Sequence, residues 1–256
     1  MEQARPKSFD DRVVVIGSGR LGGSVARSLK AIGIETEMAG RDFDPDSMQG
    51  TIVLLCVPDD ESGAVVSRIA ESSSVPAVIG HTSGATGLEA LIPVESPGGA
   101  FSLHPLQTVP DPATDLVGAP AAIAATDQGA LAVARELTDR LGMVPFEVDE
   151  EARALYHAAA SIASNFLVTL EQEAAELMER SGVEKPREIL APLVRRSLEN
   201  WVERGPEALT GPVARGDTET VERHRAAIAE RAPDLLELYE VLARYTAQLS
   251  SRGAVR

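Results

Sequence analysis

His157, Ser161 and Asn165 stand at i, i+4 and i+8 in the second half of the chain. At helical spacing they share one face, where they are almost the only polar members, and the stretch 158–170 around them has no charged residue. Polar groups in apolar surroundings need partners. A ligand, a polar cluster across a cleft, or hydrogen bonds between helices would serve. An imidazole titrates near neutrality and can protonate a carbonyl oxygen as hydride arrives at its carbon. That makes His157 a candidate proton donor, with Ser161 beside it and Asn165 placed to orient the carbonyl. A second imidazole, His104, sits in Ser-Leu-His-Pro-Leu at 102–106, where Pro105 pushes it towards extended geometry. In His-Thr-Ser-Gly at 81–84, Ser83 can hold a carboxylate or an amide, or belong to a plain glycine-containing turn. Arg215 lies in the Gly/Pro-rich link 209–217, LTGPVARGD, and its planar guanidinium suits a carboxylate. Asp217 closes that link and reads as the N-cap of the next helix.

An apolar run at 13–16 leads directly into Gly17-Ser18-Gly19-Arg20-Leu21-Gly22. By itself GxGxxG is weak evidence. Here it follows a strand and opens a helix with apolar residues at 21, 25, 29 and 32. In that setting Gly17 permits a tight turn, Gly19 lets backbone approach a pyrophosphate, and Gly22 lets helix pack on strand. Ser18, Arg20 and Leu21 complete a loop whose helical N–H groups face the phosphates. Nicotinamide dinucleotides with a free ribose 2′-OH usually meet Asp or Glu at the end of the second strand. Gly40 holds that position and Arg41 follows, which suits the 2′-phosphate of NADP. Asp42, one residue on, would be the ribose acceptor if the register shifts. Val57 and Pro58 end the third strand, where the chain passes the nicotinamide ribose, and Asp59 and Asp60 follow as helix-capping carboxylates.

These residues require a scaffold of two kinds. Strands are predicted at 13–16, 35–39, 52–57, 77–80, 121–125 and 144–148, with helices at 21–31, 63–70, 87–91 and 128–141 between them. Short apolar strands alternating with helices predict a doubly wound parallel Rossmann sheet, covered on both faces. After residue 149 the strands stop. One long helix is expected over 149–180, buried in a domain or a subunit interface through its uncharged centre. Helices at 185–204, 218–231 and 233–252 follow. The expected division is an α/β domain over 1–149 and an all-α domain over 150–256.

The 256 residues are 44% hydrophobic and 25% charged, with a net charge of −15. Such a surface repels phosphate backbones and anionic lipid, so neither nucleic acid nor membrane is an expected partner. A small anionic substrate would need a local cluster of cations or N–H groups. The single cysteine, Cys56, lies in the apolar run 51–57 and reads as a core thiol rather than a nucleophile. No metal site is expected. Residues 1–11 are polar and no segment reaches the ~18 apolar residues of a membrane span, so the expected location is the cytoplasm.

Taken together, GSGRLG, CVPDD, HTSGA, SLHPLQT, YHAAASIASN and LTGPVARGD resemble a bacterial family that joins a Rossmann-like domain to a helical domain of unknown function. The family is similar to the 6-phosphogluconate dehydrogenase-like superfamily, with ketopantoate reductase, pyrroline-5-carboxylate reductase and prephenate dehydrogenase as cousins. Ketopantoate reductases carry Lys, Asn and Asn where this chain has His157, Ser161 and Asn165, so only the last is kept. The resemblance implies NADPH-dependent reduction of a small 2-oxo acid, 2-dehydropantoate foremost, in a homodimer built through the helical domain. Imine reduction and a cofactor-binding sensor without turnover are the competing expectations.

Overall fold

The computed structural model describes residues 12–253, so the polar segment 1–11 lies outside the described residues. The chain divides into two compact units, 1–162 and 163–256.

The first unit is built on a seven-stranded sheet in the order β2-β1-β3-β4-β5-β6-β7. Its strands are β1 (Val13–Ile16), β2 (Thr36–Ala39), β3 (Ile52–Leu55), β4 (Val78–His81), β5 (Ala100–Pro105), β6 (Pro120–Ala125) and β7 (Val144–Glu147). All neighbouring pairs are parallel except β5 and β6, which run antiparallel with Ser102 opposite Ala124 and His104 opposite Ala122. The helices are α1 (Arg20–Ala31), α2 (Asp59–Ala70), α3 (Gln128–Arg140) and α4 (Arg153–Ser161). Because side chains alternate along a strand, β1 feeds two cores. Val13 and Val15 pack with Val25 and Leu29 of α1 and with Ala134 and Leu137 of α3. Val14 and Ile16 pack on the other face with Val66 and Ile69 of α2 and with Leu91 and Val94. The fold is therefore a doubly wound, mostly parallel α/β sheet followed by helices.

Several predicted elements change. β5 is a seventh strand that periodicity did not predict, and the residue held extended by Pro105, His104, lies within it. α2 starts at Asp59 rather than 63, and the helix expected at 87–91 is a 3-10 segment, Leu88–Val94. The single helix expected over 149–180 is broken. A 3-10 turn (Glu150–Ala152) precedes α4, and a π-helical turn (Ile162–Phe166) separates α4 from α5 (Leu167–Arg180). Nor is its uncharged centre buried within either unit: Ala158 and Ala159 are exposed, Ile162 is 61% exposed and Phe166 57%.

The units part at 162/163 instead of 149/150, and α4 is the reason. Arg153, Tyr156 and His157 stand at i, i+3 and i+4, on one face of the helix. Ser102 and His104, two apart on β5, share one face of the sheet. The two faces meet, because Arg153 donates to Ser102 Oγ at 2.5 Å and Tyr156 bonds His104 at 2.8 Å.

The second unit consists of α5, α6 (Pro186–Arg204), α7 (Pro212–Arg215), α8 (Thr218–Arg231) and α9 (Leu236–Gly253). Asp217 caps α8 by accepting from Thr220 N–H at 3.0 Å. Among its described residues only Ala175, Pro186, Ile228 and Ala232 are buried, whereas Ile189, Leu193, Trp201 and Val202 are 54–76% exposed.

Candidate active site

A groove crosses the carboxyl ends of the central strands in the first unit, where ligands of open α/β sheets gather. One part is lined by Gly17, Ser18, Gly19, Gly40, Arg41, Phe43, Val57 and Pro58, among others. The other part shares Gly19, Val57 and Pro58 and continues to Arg20, Leu21, Asp59, Thr82, Ser83, Gly84 and His104.

The glycine loop is built as its spacing requires. Gly17 has φ +118°, and a Cβ there would overlap the Cys56 carbonyl. A Cβ on Gly22 would overlap the Gly17 carbonyl and lie 3.1 Å from Cys56 Cβ, so strand, turn and helix close on one another with no room for a side chain. Gly19 faces open space instead. It is the N-cap of α1 and brings no capping side chain, and the first turn holds no acidic residue. The orphan N–H groups of that turn open on the groove beside Arg20, which is a cradle suited to a pyrophosphate.

At the far end of the first part, Arg41 reaches Glu61 at 2.8 Å and is 86% exposed. Asp42 is also exposed but is not in the lining. The loop is held from below by Arg68, which donates to the carbonyls of Arg41 at 2.6 Å and Phe43 at 2.8 Å. The same guanidinium lies 4.1 Å from the centre of the Phe43 ring, a stacked arrangement that fixes the floor beneath Arg41. Burial pushes the Cys56 thiol up to about 12, against a smaller pull from Thr82. The thiol, which lines both parts of the groove, is thereby held in its protonated, less reactive form.

Three imidazoles stand near the other part, and of them His104 lines it. His81 ends β4, in register with Ser102 of β5, and is buried. Burial, then the Arg153 charge, push it down to about 4. Neither ring nitrogen has a hydrogen bond of ordinary geometry, although the Gly87 backbone is close enough to oppose the shift. His104 lines the groove, and burial together with the neighbouring His157 and Arg153 also brings it to about 4. Its ring centre is 5.7 Å from that of His157. His157 Nδ1 is buried without a hydrogen-bond partner. Gly84 lies against both rings: a Cβ there would overlap His157 Nδ1 and stand 2.8 and 2.9 Å from Cε1 and Nε2 of His104.

Arg153, which the sequence reading passed over, anchors this cluster from behind. It is 3% exposed and pairs with Glu150 at 2.5 Å. Besides Ser102 it reaches the Ser83 carbonyl at 3.4 Å, and Glu150 in turn accepts from Leu88 N–H at 2.8 Å. Tyr156 and Gly84 were likewise given no role. The spacing 153, 156, 157 carried the signal for two of them, but only when read backwards from His157 towards the start of the helix.

The remaining candidates are placed as follows. Ser83 Oγ accepts from Ala85 N–H at 3.1 Å and Thr86 N–H at 2.9 Å, which makes it a turn-former whose O–H is still free to donate into the groove. Ser161 is the last residue of α4 and half-buried. Asn165 is exposed and falls in the π-helical turn. Hydrogen bonds there run i→i+5, so a spacing of four no longer returns to one face and the expected triplet is not a regular stripe. Arg215 belongs to the second unit, exposed, with its guanidinium on the carbonyl of Thr210 in its own loop.

Comparisons with known proteins agree with this architecture. A Rossmann-like domain matches residues 41–105. No curated protein matches the chain. Among solved structures, a Bacteroides fragilis protein named as an NADP oxidoreductase superposes with a TM-score of 0.78 at 22% identity, over 94% of this chain and 100% of that one. A reductive aminase of Aspergillus terreus, in complex with NADPH and ethyl levulinate, gives 0.66 at 16% identity over 94% and 97%. Pyrroline carboxylate reductase of Plasmodium falciparum, with NADP bound, gives 0.59 at 12% identity over 94% and 99%. The model of a domain of unknown function, DUF2520, matches residues 119–246, half of the chain, and to that family this protein belongs.

Proposed function

We propose that the chain is an NADPH-dependent oxidoreductase that reduces a small 2-oxo acid, with 2-dehydropantoate the first candidate. One observation carries the reading: the glycine cradle and the imidazole of His104 line the same groove. Gly17, Ser18, Gly19 and Gly22 would hold the pyrophosphate, Arg41 the 2′-phosphate, and Arg20, Leu21, Val57 and Pro58 the nicotinamide end. The cofactor, when bound, supplies the hydride. The rest falls to the chain itself. Gly84, with no side chain, lets the rings of His104 and His157 close against it, and His104, which lines the groove, and His157 beside it are the groups able to protonate a carbonyl oxygen there. Arg20 and the Ser83 hydroxyl present a cation and a donor to a carboxylate. The solved neighbours named for NADP, 22% identical or less, support the reading through the fold they share with this chain.

The test follows loss of reduced-nicotinamide absorbance with 2-dehydropantoate and NADPH, with NADH and pyrroline-5-carboxylate as parallel arms. Turnover that requires NADPH and the oxo acid bears the proposal out. Turnover with the imine alone moves the chain to C=N reduction, a reading favoured by the reductive aminase and pyrroline carboxylate reductase among its neighbours. Because an imine can arrive already protonated, that chemistry would survive loss of His104. Cofactor binding without any turnover would make the chain a sensor.

The second unit also requires a partner surface. A fully buried Leu or Phe contributes roughly 1.5–3 kcal/mol, and four buried residues, none of them Leu or Phe, are a poor core for five helices. We propose that a second copy covers the exposed Leu193, Trp201 and Val202, giving a homodimer measurable by light scattering. No helix among the described residues is long and apolar enough to cross a membrane, and the cytoplasm is the proposed site of action.

A further inference from the structure

Tyr156 belongs to none of the roles above, yet its hydroxyl is 2.8 Å from His104 Nδ1. The phenol is set edge-on to His104 at 5.7 Å and to Phe146 of β7 at 5.9 Å. Helix, middle strand and edge strand thus fix one oxygen against one ring nitrogen. The opposite edge of the imidazole, at Nε2, faces Gly84, and both residues line the groove.

A neutral imidazole has one N–H, and its location follows from what the other nitrogen bonds. Of the two partners the phenol is the better acid and the imidazole nitrogen the better base, so the favoured bond runs from Oη–H to Nδ1. We propose that Tyr156 acts through His104, filling Nδ1 so that the ring presents Nε2–H to the groove, and passing on its own proton when that N–H is given up. This rests on the oxidoreductase reading. As the carbonyl carbon takes hydride from a dihydronicotinamide, its oxygen gains a proton. The new O–H forms as Nε2–H breaks, Nδ1–H forms as Oη–H breaks, and the phenolate left on Tyr156 recovers its proton from water. His104 returns to its starting tautomer when Nε2 takes a proton from water in the groove while Nδ1 gives one to Oη and Oη–H passes its own back to water. Tyr156 is half-buried rather than sealed, which leaves water a route to its oxygen. The other charged or titratable groups facing His104 are His157 and Arg153 of α4, Asp59 of α2 and His81 of β4.

The experiment uses full-length protein with ¹⁵N-labelled histidine, at pH 7.5 and without cofactor. Long-range ¹H–¹⁵N spectra report the tautomer of each ring, and His104→Gln assigns the resonance. In the unaltered protein His104 is expected as Nε2–H. In Tyr156→Phe it is expected as a mixture of tautomers, with kcat lower by about 10–100-fold and KM changed little. A ring found as Nδ1–H in the unaltered protein overturns the proposal without any variant. So does a folded Tyr156→Phe protein that keeps both the tautomer and kcat. Absence of turnover on every carbonyl compound is a different failure. It overturns the oxidoreductase reading and the proton transfer built on it, while the spectra decide the hydrogen-bond assignment separately.

Discussion

Gly84→Ala is the sharpest probe of the imidazole cluster, because the methyl group has a known landing place. It would overlap His157 Nδ1 and stand 2.8 and 2.9 Å from two atoms of His104. Ordinary heavy-atom contact is roughly 3.5–4.0 Å, so one or both rings must retreat by about 1 Å. His104 is held on its far edge by Tyr156, which limits escape in that direction. Overpacking of this kind costs about 1–3 kcal/mol. Displacing a reacting group by about 1 Å costs roughly 100-fold in rate. The expected protein is therefore folded, modestly destabilised, and slowed about 100-fold in NADPH oxidation, with NADPH affinity nearly intact because the glycine cradle is untouched. Gly63→Ala is the control. A Cβ there meets nothing within 4 Å, and in the interior of α2 alanine should add about 0.5–1 kcal/mol of stability. Denaturant unfolding, cofactor fluorescence and steady-state kinetics measure the three quantities. A Gly84→Ala protein with unaltered kcat would refute the placement of chemistry at these rings.

The cofactor and the scaffold around it give further tests. Arg41→Ala should weaken NADPH binding about tenfold, or about 1.4 kcal/mol, and leave NADH binding unchanged; equal loss for both cofactors would remove Arg41 from 2′-phosphate recognition. Arg153→Met removes the buried partner of an ion pair whose carboxylate, Glu150, is exposed, so the loss falls mainly on the charged hydrogen bond to buried Ser102 and should cost about 1–3 kcal/mol in unfolding free energy, with near-native stability speaking against its anchoring role. For pH, His81 and His104 both have folded values lowered to about 4 from 6.5. The unfolded chain then binds more protons between those values, so their contribution to stability is full above about 6.5 and falls as pH drops towards 4. His104→Gln should flatten the dependence of unfolding free energy on pH in that window, by up to one proton. A variant as steep as the parent would show that His104 titrates normally in the fold.

Local pattern was enough for some of this protein. Gly17 and Gly22 could be read without a structure because a turn that admits no side chain at either position leaves its mark within six residues of sequence. The change from alternating apolar strands to helices was legible for the same reason, since period is a local property of the chain. β5 was not legible. Ala-Phe-Ser-Leu-His-Pro becomes a strand because β4 and β6 flank it and satisfy its backbone, while Phe101 and Leu103 enter the core. The break in the helix after Ser161 was equally hidden, as nothing in Ile-Ala-Ser-Asn-Phe distinguishes a π turn from an α turn.

The meeting of His81, His104 and His157 belongs to the tertiary structure alone. They come from β4, β5 and α4, and the distance between them depends on strand order and on where α4 docks. Arg153 shows the same limit most plainly. In the sequence it is one charged residue near the start of a helix. In the fold it loses its water, gains Glu150 and Ser102, and depresses the imidazoles around it. Burial and charge act through space, and the fold sets both.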